Sequence, residues 1–461
     1  MRRKWLKGAL WVLLTPIVLF VILMILLYVP PVQNFIRKQA TAIASDATGM
    51  NISVERIDLR FPLNLLVRGV QVVQSEADAA DVQHPDTLLN LGSLNVSVQA
   101  WPLLQGRVEV NAITLQQVAV NSSNLLEGMH IKGTLGRFFL ESHGIDLKKE
   151  DAILNNVELS NTHMQVMLAD TTETPKDSTE TAVNWRIALH NLKLKNVSVD
   201  LQMPLDSMAL GANIGDASIE DANVDLKRQF YGWRRFTLTE SAVNYDSGMA
   251  APVEGFDASH IALRDIRIGI DSVMACGRDM NAIIREFSMY DRSGLTVTSL
   301  TGRLFADSTL IRIPYLQLKT PHSDMDLTAQ TYWKLVDIPT TGHLSARFNA
   351  NIGKQDVLLF AGGLPETFKE AYPFRPLVIH AGTEGNLKQM QISRFTAELP
   401  GAFFLSGGGE LWNLTDSLTR NGGLDFEMQT QDLNFLTGLT GVTPDGSIIC
   451  LLYTSPSPRD I

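Results

Sequence analysis

The chain has 461 residues, with 39 Lys and Arg against 49 Asp and Glu, for a net charge of −10. Apolar residues make up 45% and charged residues 19%, which is too apolar for wholesale disorder, and the acidic balance argues against nucleic acid as a partner. Its two cysteines, Cys276 and Cys450, supply neither a disulfide framework nor a four-thiolate zinc site.

Arg2, Arg3, Lys4 and Lys7 precede an apolar run over residues 9–29, interrupted only by Thr15 and Pro16. As a helix, these 21 residues reach about 31 Å, enough to cross the ~30 Å hydrocarbon core of a bilayer. The exit, Tyr28-Val29-Pro30-Pro31, holds no small-residue cleavage site, so the run predicts an uncleaved transmembrane helix. The basic flank belongs on the cytoplasmic side, which places the body across the membrane. Residues 1–31 are thus flank and anchor. Over residues 32–50, Val32, Phe35, Ile36, Ile43 and Ala44 recur at helical spacing, and Gly49 supplies a stop. Two readings of this amphipathic helix stand side by side: a membrane-surface or end-capping helix, and a plug over the first strands.

From Asn51 onward the period is two. One template recurs: apolar-x-apolar, two polar residues, apolar-x-apolar. It begins at Leu65, Ile113, Val157, Leu192, Ala217, Phe236 and Ile261, with single breaks at Gln74, Ser122, Thr162 and Ser241. The central dipeptides are Arg68-Gly69, Gln116-Gln117, Ser160-Asn161, Lys195-Asn196, Glu220-Asp221, Thr239-Glu240 and Arg264-Asp265. Gly, Asn or Asp holds the second place in five of the seven, and these types best tolerate positive φ. Two inserted residues would flip the apolar parity of a straight strand. Either a hairpin turn or a bulged corner keeps both halves on one face. The irregular spacing excludes fixed-period solenoids. It leaves a long one-sided sheet, curled with its apolar face inward, and an ordinary antiparallel sandwich.

The body divides into a first β segment (51–168), a polar loop (169–182), a second β segment (183–280) and a third (281–449). Helical signals lie at 354–361 and 365–372, a hairpin at Pro400-Gly401, and a strand bend at Gly407-Gly408-Gly409. Residues 450–461 match nothing before them and read as a non-native tail on a truncated gene.

No catalytic chemistry emerges. The nine histidines include no HExxH or other paired-ligand spacing, so no metal site is expected. Neither a phosphate loop nor a G-x-S-x-G elbow is present. Glu220, Asp221 and Asp225 read as solvated strand faces, and Cys276 as a buried small hydrophobe. A non-enzyme without cofactor is expected. An anchored carbohydrate-binding β protein, which would need clustered surface aromatics, and a cargo-free structural tether are the competing readings.

The order of features is itself distinctive. After the anchor and a helix ending in Thr48-Gly49-Met50 come Ile52-Ser53-Val54-Glu55-Arg56-Ile57, Phe61-Pro62-Leu63 and Val67-Arg68-Gly69-Val70-Gln71-Val72. This order resembles the AsmA-like superfamily, and more closely its TamB (translocation and assembly module) branch, best over residues 1–270. The resemblance implies an elongated, taco-like β-sheet groove, anchored in the inner membrane with its body periplasmic. It implies a role in moving phospholipid toward the outer membrane or in outer-membrane biogenesis. It also implies an outer-membrane barrel partner, met through a C-terminal domain that this chain lacks. On that reading the lipid-groove candidates are Ile113, Leu115, Val118, Val120, Leu192, Leu194, Val197, Val199, Ile266, Ile268 and Ile270.

Overall fold

The computed structural model describes residues 30–60, 64–73, 87–99, 110–122, 129–146, 149–168, 184–248, 250–361 and 366–432. The expected anchor, polar loop and tail fall outside the described residues. Among those described, no helix is long and apolar enough to cross a membrane. The fold is mainly β, with a few helices. It forms two compact units. The first comprises Met1–Pro252, Asp257–Arg292 and Leu300–Ser308, and the second Val253–Phe256, Ser293–Ser299 and Thr309–Ile461. The β segments on either side of the 169–182 loop therefore share one unit.

The first unit opens with α1 (Pro30–Thr48), ended by Gly49 at φ +70°. The strands follow as β1 (Asn51–Arg60), β2 (Asn64–Val73), β3 (Thr87–Val98), β4 (Val110–Asn121), β5 (Met129–Asp146) and β6 (Asp151–Leu168). Then come β7 (Arg186–Met203), β8 (Met208–Asp225), β9 (Phe230–Ser247), β10 (His260–Cys276) and β11 (Asp279–Asp291). The two-residue β12 (Thr296–Val297) precedes β13 (Ser299–Ala306) in the chain. Each strand from β1 to β11 pairs with the next, and β11 pairs with β13. All these pairings are antiparallel except β6–β7, which is parallel. Two amide bonds cross that parallel seam, Asn196 Nδ2 to Asn161 Oδ1 at 3.0 Å and Asn191 Nδ2 to Asn156 Oδ1 at 3.2 Å.

The polar dipeptides are corners, not hairpins: each lies inside one continuous strand. All seven second-place residues take positive φ, namely Gly69 (60°), Gln117 (55°), Asn161 (52°), Asn196 (51°), Asp221 (50°), Glu240 (52°) and Asp265 (52°). From β2 to β8 the corners fall on one line, which meets β8 at Gly215; the Glu220-Asp221 corner of that strand lies off the line, with Glu220 opposite Asn191. Arg68↔Ser93 and Val70↔Leu91 flank Gly69 and Gly92, and the same register places Gly92 opposite Gln117, then Gln117 opposite Gly136, and Gly136 opposite Asn161. Asn196 faces Asn161 and Gly215 in turn. Because neighbouring strands carry the extra residue at one level, the ladder stays in register through the corner line. Glycine alternates there for a steric reason. A Cβ on Gly92 would lie 2.9 Å from Gln117 Cβ, and one on Gly136 would lie 2.8 Å from Asn161 Cβ.

The second unit holds β14 (Leu310–Lys319), β15 (Asp324–Tyr332), α2 (Trp333–Asp337), β16 (Leu344–Ile352), α3 (Lys354–Phe360) and α4 (Glu366–Ala371). It continues with β17 (Leu377–Gly385), β18 (Gln389–Leu399), β19 (Phe403–Trp412) and β20 (Asn421–Thr430). Strands β14 to β20 pair antiparallel in chain order. The hairpin expected at Pro400-Gly401 joins β18 to β19, with Gly401 at φ +89°. The glycine triplet lies within β19, where a Cβ on Gly409 would collide with the Gly423 carbonyl oxygen. Phe368, Tyr372, Leu399 and Ala402 form a buried core under α3 and α4. Burial pushes the Tyr372 phenol up to about 12. Asp356, buried on α3, accepts hydrogen bonds from the Thr320 and Ser323 hydroxyls, which ties that helix to the β14–β15 turn.

Candidate functional site

Residues paired directly across neighbouring strands point to the same side of a sheet. In the first unit the pairings collect the apolar residues into rows crossing the strands. One row runs Ile57, Val67, Leu94, Leu115, Phe138, Leu159, Leu194, Ala217, Leu238, Ile268, Phe287, from β1 to β11 without a polar residue. The next row, two residues away on each strand but three on the bulged β11, runs Leu59, Leu65, Val96, Ile113, Leu140, Val157, Leu192, Ile219, Phe236, Ile270, Ile284. Beyond the corner line a third row passes Val54, Val70, Leu91, Val118, Leu135, Thr162, Val197 and Ile214, and resumes at Ser241 and Ile266. A fourth contains Val72, Leu89, Val120, Gly133, Met164, Val199, Ala212, Val243 and Leu263. The extra residue at each corner restores the parity that keeps all four rows on one face.

All eleven groove candidates fall in these rows, but they are not equivalent. Val197 and Ile266, at 5% and 4% exposure, are buried in the third row, beside the corner. Val199, at 37%, is open to solvent. Ile113, Leu115, Val118, Val120, Leu192, Leu194, Ile268 and Ile270 are half-buried. Sequence reasoning missed β3 and β5 as members of the pattern. Leu91-Gly92-Ser93-Leu94 and Leu135-Gly136-Arg137-Phe138 fit it with the corner residue first, because an antiparallel neighbour presents the corner in reverse order.

Three of the template breaks are buried hydroxyls with work at the backbone. Ser241 Oγ accepts from Gly215 N at 3.3 Å and donates to the Thr239 carbonyl at 2.9 Å. Ser122 Oγ accepts from Ile131 N at 3.0 Å, and Thr162 Oγ1 donates to the Ser160 carbonyl at 3.4 Å. The fourth, Gln74, lies outside the described residues.

Polar chemistry is concentrated away from these rows. Arg234 bridges Glu220 and Asp221, both at 2.7 Å, and His190 Nδ1 lies 3.2 Å from Asp221 Oδ1. Hydrogen bonds from Arg234, then His190, hold the Asp221 carboxyl below the usual carboxylate range. These groups are solvated, so the cluster is a surface ion network. A depression of about 390 Å³ between β2 and β6 is lined by Asn90, Lys132, Thr134, His163 and Gln165 among others, and by no carboxylate. Among the described residues no group of His, Cys, Asp and Glu could hold a metal ion. Cys276 differs from expectation: it is half-exposed at the end of β10, with Sγ 3.8 Å from the Arg228 carbonyl, because a strand terminus lacks neighbours to seal it. In comparison with known proteins, the chain matches no family model and no curated protein.

Proposed function

We propose that this chain is a membrane-anchored, non-enzymatic component of a cell envelope that carries phospholipid acyl chains along the apolar face of its first unit. On this reading the anchor sits in the inner membrane, the body is periplasmic, and the cargo moves toward the outer membrane. A role in outer-membrane biogenesis follows from the same traffic. The supporting observation is the pair of unbroken apolar rows, eleven strands deep, whose side chains remain mostly half-exposed. At about 4.8 Å per strand, ten spacings extend about 48 Å, roughly three times the ~15 Å depth of one leaflet's hydrocarbon. Each CH₂ kept from water there is worth about 0.8 kcal/mol, so a continuous trough lowers the cost of leaving the bilayer without any covalent step.

Native mass spectrometry with lipid extraction on the gently solubilised full chain tests this. Co-purified phospholipid should fall sharply in Leu194→Glu and Ile268→Glu, both half-exposed in the first row, and persist in Lys193→Glu on the other face. Val197 and Ile266 are unsuitable positions, since a carboxylate there would be buried. A folded, lipid-free protein that cannot be loaded from liposomes would sink the conduit and favour the tether.

A further inference from the structure

The helix α1 has two faces with separate tasks. Its inner face is fastened along the outer edge of β1. Gln33 Nε2 donates to the Leu59 carbonyl at 3.2 Å, and Arg37 Nη1 to those of Val54 and Glu55 at 3.0 and 2.9 Å. Ser45 Oγ accepts from Ile52 N at 3.1 Å. As the helix advances from 33 to 45 its partners step back from 59 to 52, so α1 runs antiparallel to β1 and covers an edge that would otherwise invite strand addition.

The opposite face carries Phe35 and Ile43, 63% and 66% exposed, with no packing partner among the described residues. Rolling the helix to bury them would break all four bonds to β1. Two further facts on this chain name what covers them. The 21-residue apolar run ends at Val29, and α1 begins at the next residue, so no spacer separates them. Lys38 is exposed on the flank of the helix, about 60° around from Phe35, where its long stem can reach anionic headgroups; Asp46 shares the angular range of Phe35 and Ile43 but sits exposed on the last turn, at the water end of the helix.

We infer that the Phe35–Ile43 face of α1 lies in the headgroup layer of the bilayer that holds the anchor, with the inner face holding β1. The inference rests on the anchor proposed above. An interfacial helix lies in the membrane plane. With α1 antiparallel to β1, the first strands then run parallel to that plane, and the apolar rows start within about one helix diameter, ~10 Å, of the headgroups. A helix that merely plugged the sheet would leave its outer face in water.

Site-directed spin labelling of the full chain tests this, with Cys276→Ser and Cys450→Ser as background, in vesicles of phosphatidylethanolamine and phosphatidylglycerol. Labels are placed singly at Leu19→Cys, Phe35→Cys, Ile43→Cys and Leu205→Cys. Oxygen, which concentrates in lipid, and a water-soluble nickel complex report the surroundings of each. Labels 35 and 43 should shift from the nickel-accessible behaviour of 205, in the exposed β7–β8 turn, toward the oxygen-accessible behaviour of 19. Nickel access at 35 and 43 with oxygen access at 19 overturns the inference and leaves the anchor standing. Nickel access at 19 overturns the anchor as well. Exclusion of both reagents at 35 and 43 would mean a protein contact and also overturns it. Strand content by circular dichroism, unchanged in each variant, excludes misfolding as the cause.

Discussion

The corner line makes a prediction that depends on its alternation of glycine with positive-φ residues. In Gly92→Ala the new Cβ would stand 2.9 Å from both Cβ and Oε1 of Gln117 and 3.2 Å from the Gln116 carbonyl oxygen. Real Cβ atoms do not approach a side-chain carbon so closely, so β3 and β4 must separate locally. Overpacking of this kind costs about 1–3 kcal/mol. Replacing Gln117 by glycine removes the two closest contacts and suits the φ of 55° at that position. Gly92→Ala/Gln117→Gly should therefore recover most of the loss, and the cycle should show a coupling of about 1–2 kcal/mol. Gly144→Ala, whose Cβ would meet nothing within 4 Å, is the matched control and should stay within about 0.5 kcal/mol of the parent. Hydrogen exchange on the full chain, read over peptides of β3 and β4, isolates the local effect from the second unit. A loss of 1–2 kcal/mol accelerates exchange there by about 5–30-fold. Equal effects of Gly92→Ala and Gly144→Ala, or no recovery in the double variant, would refute the steric account of the corner.

Three further outcomes are expected. Ser241→Ala should destabilise the β8–β9 corner by about 1–3 kcal/mol, because it leaves the Gly215 N–H and the Thr239 carbonyl without that hydroxyl; exchange at Gly215 reads it, and parental protection would contradict it. The Asp221 carboxyl should titrate below 3.8, and Arg234→Ala should raise its midpoint. Its contribution to stability is present above 3.8 and is lost as pH falls through the lowered folded value; carbon NMR of the carboxyl would show an unmoved midpoint if the Arg234 bond did not matter. Tyr372 should ionise near 12, so phenolate absorbance in Tyr372→Phe should lose a component at that pH and none near 10. Because this pKa is raised on folding, the associated stability is present below 10 and lost as pH rises through 12.

Much of the first unit was legible because its geometry depends on residue type at one repeated point. Gly69, Asn161, Asn196, Asp221 and Asp265 announce positive φ by their chemistry. Gln117 and Glu240 do not, and their conformation follows only from the aligned corners on the strands beside them. The choice between hairpin and corner was invisible for the same reason: it is made by neighbours that keep the ladder paired through the bend. The parallel β6–β7 pair was equally hidden, since alternation carries no strand direction and Asn161 meets Asn196 across a connection whose path composition does not report. For α1 the spacing alone predicts a single apolar stripe. Ala44 lies between Gln33 and Arg37 on the β1 side, but Phe35 and Ile43 point out, because the bonds of Gln33, Arg37 and Ser45 to β1 fix the rotation. Of the groove candidates, sequence could place residues on the apolar face but could not separate the buried Val197 and Ile266 from the more accessible side chains of the other rows.

The central claim is that the apolar face of the first unit holds acyl chains. Its most direct test is photo-crosslinking in a Gram-negative host, with a benzophenone side chain placed at Leu115, Leu194 or Leu238 in the first row, and at Thr114, Lys193 or Thr237 on the opposite face. The account predicts phospholipid adducts from the first three positions and none from the second three. Adducts from both faces alike, or from neither in protein that is folded and membrane-bound, would contradict it.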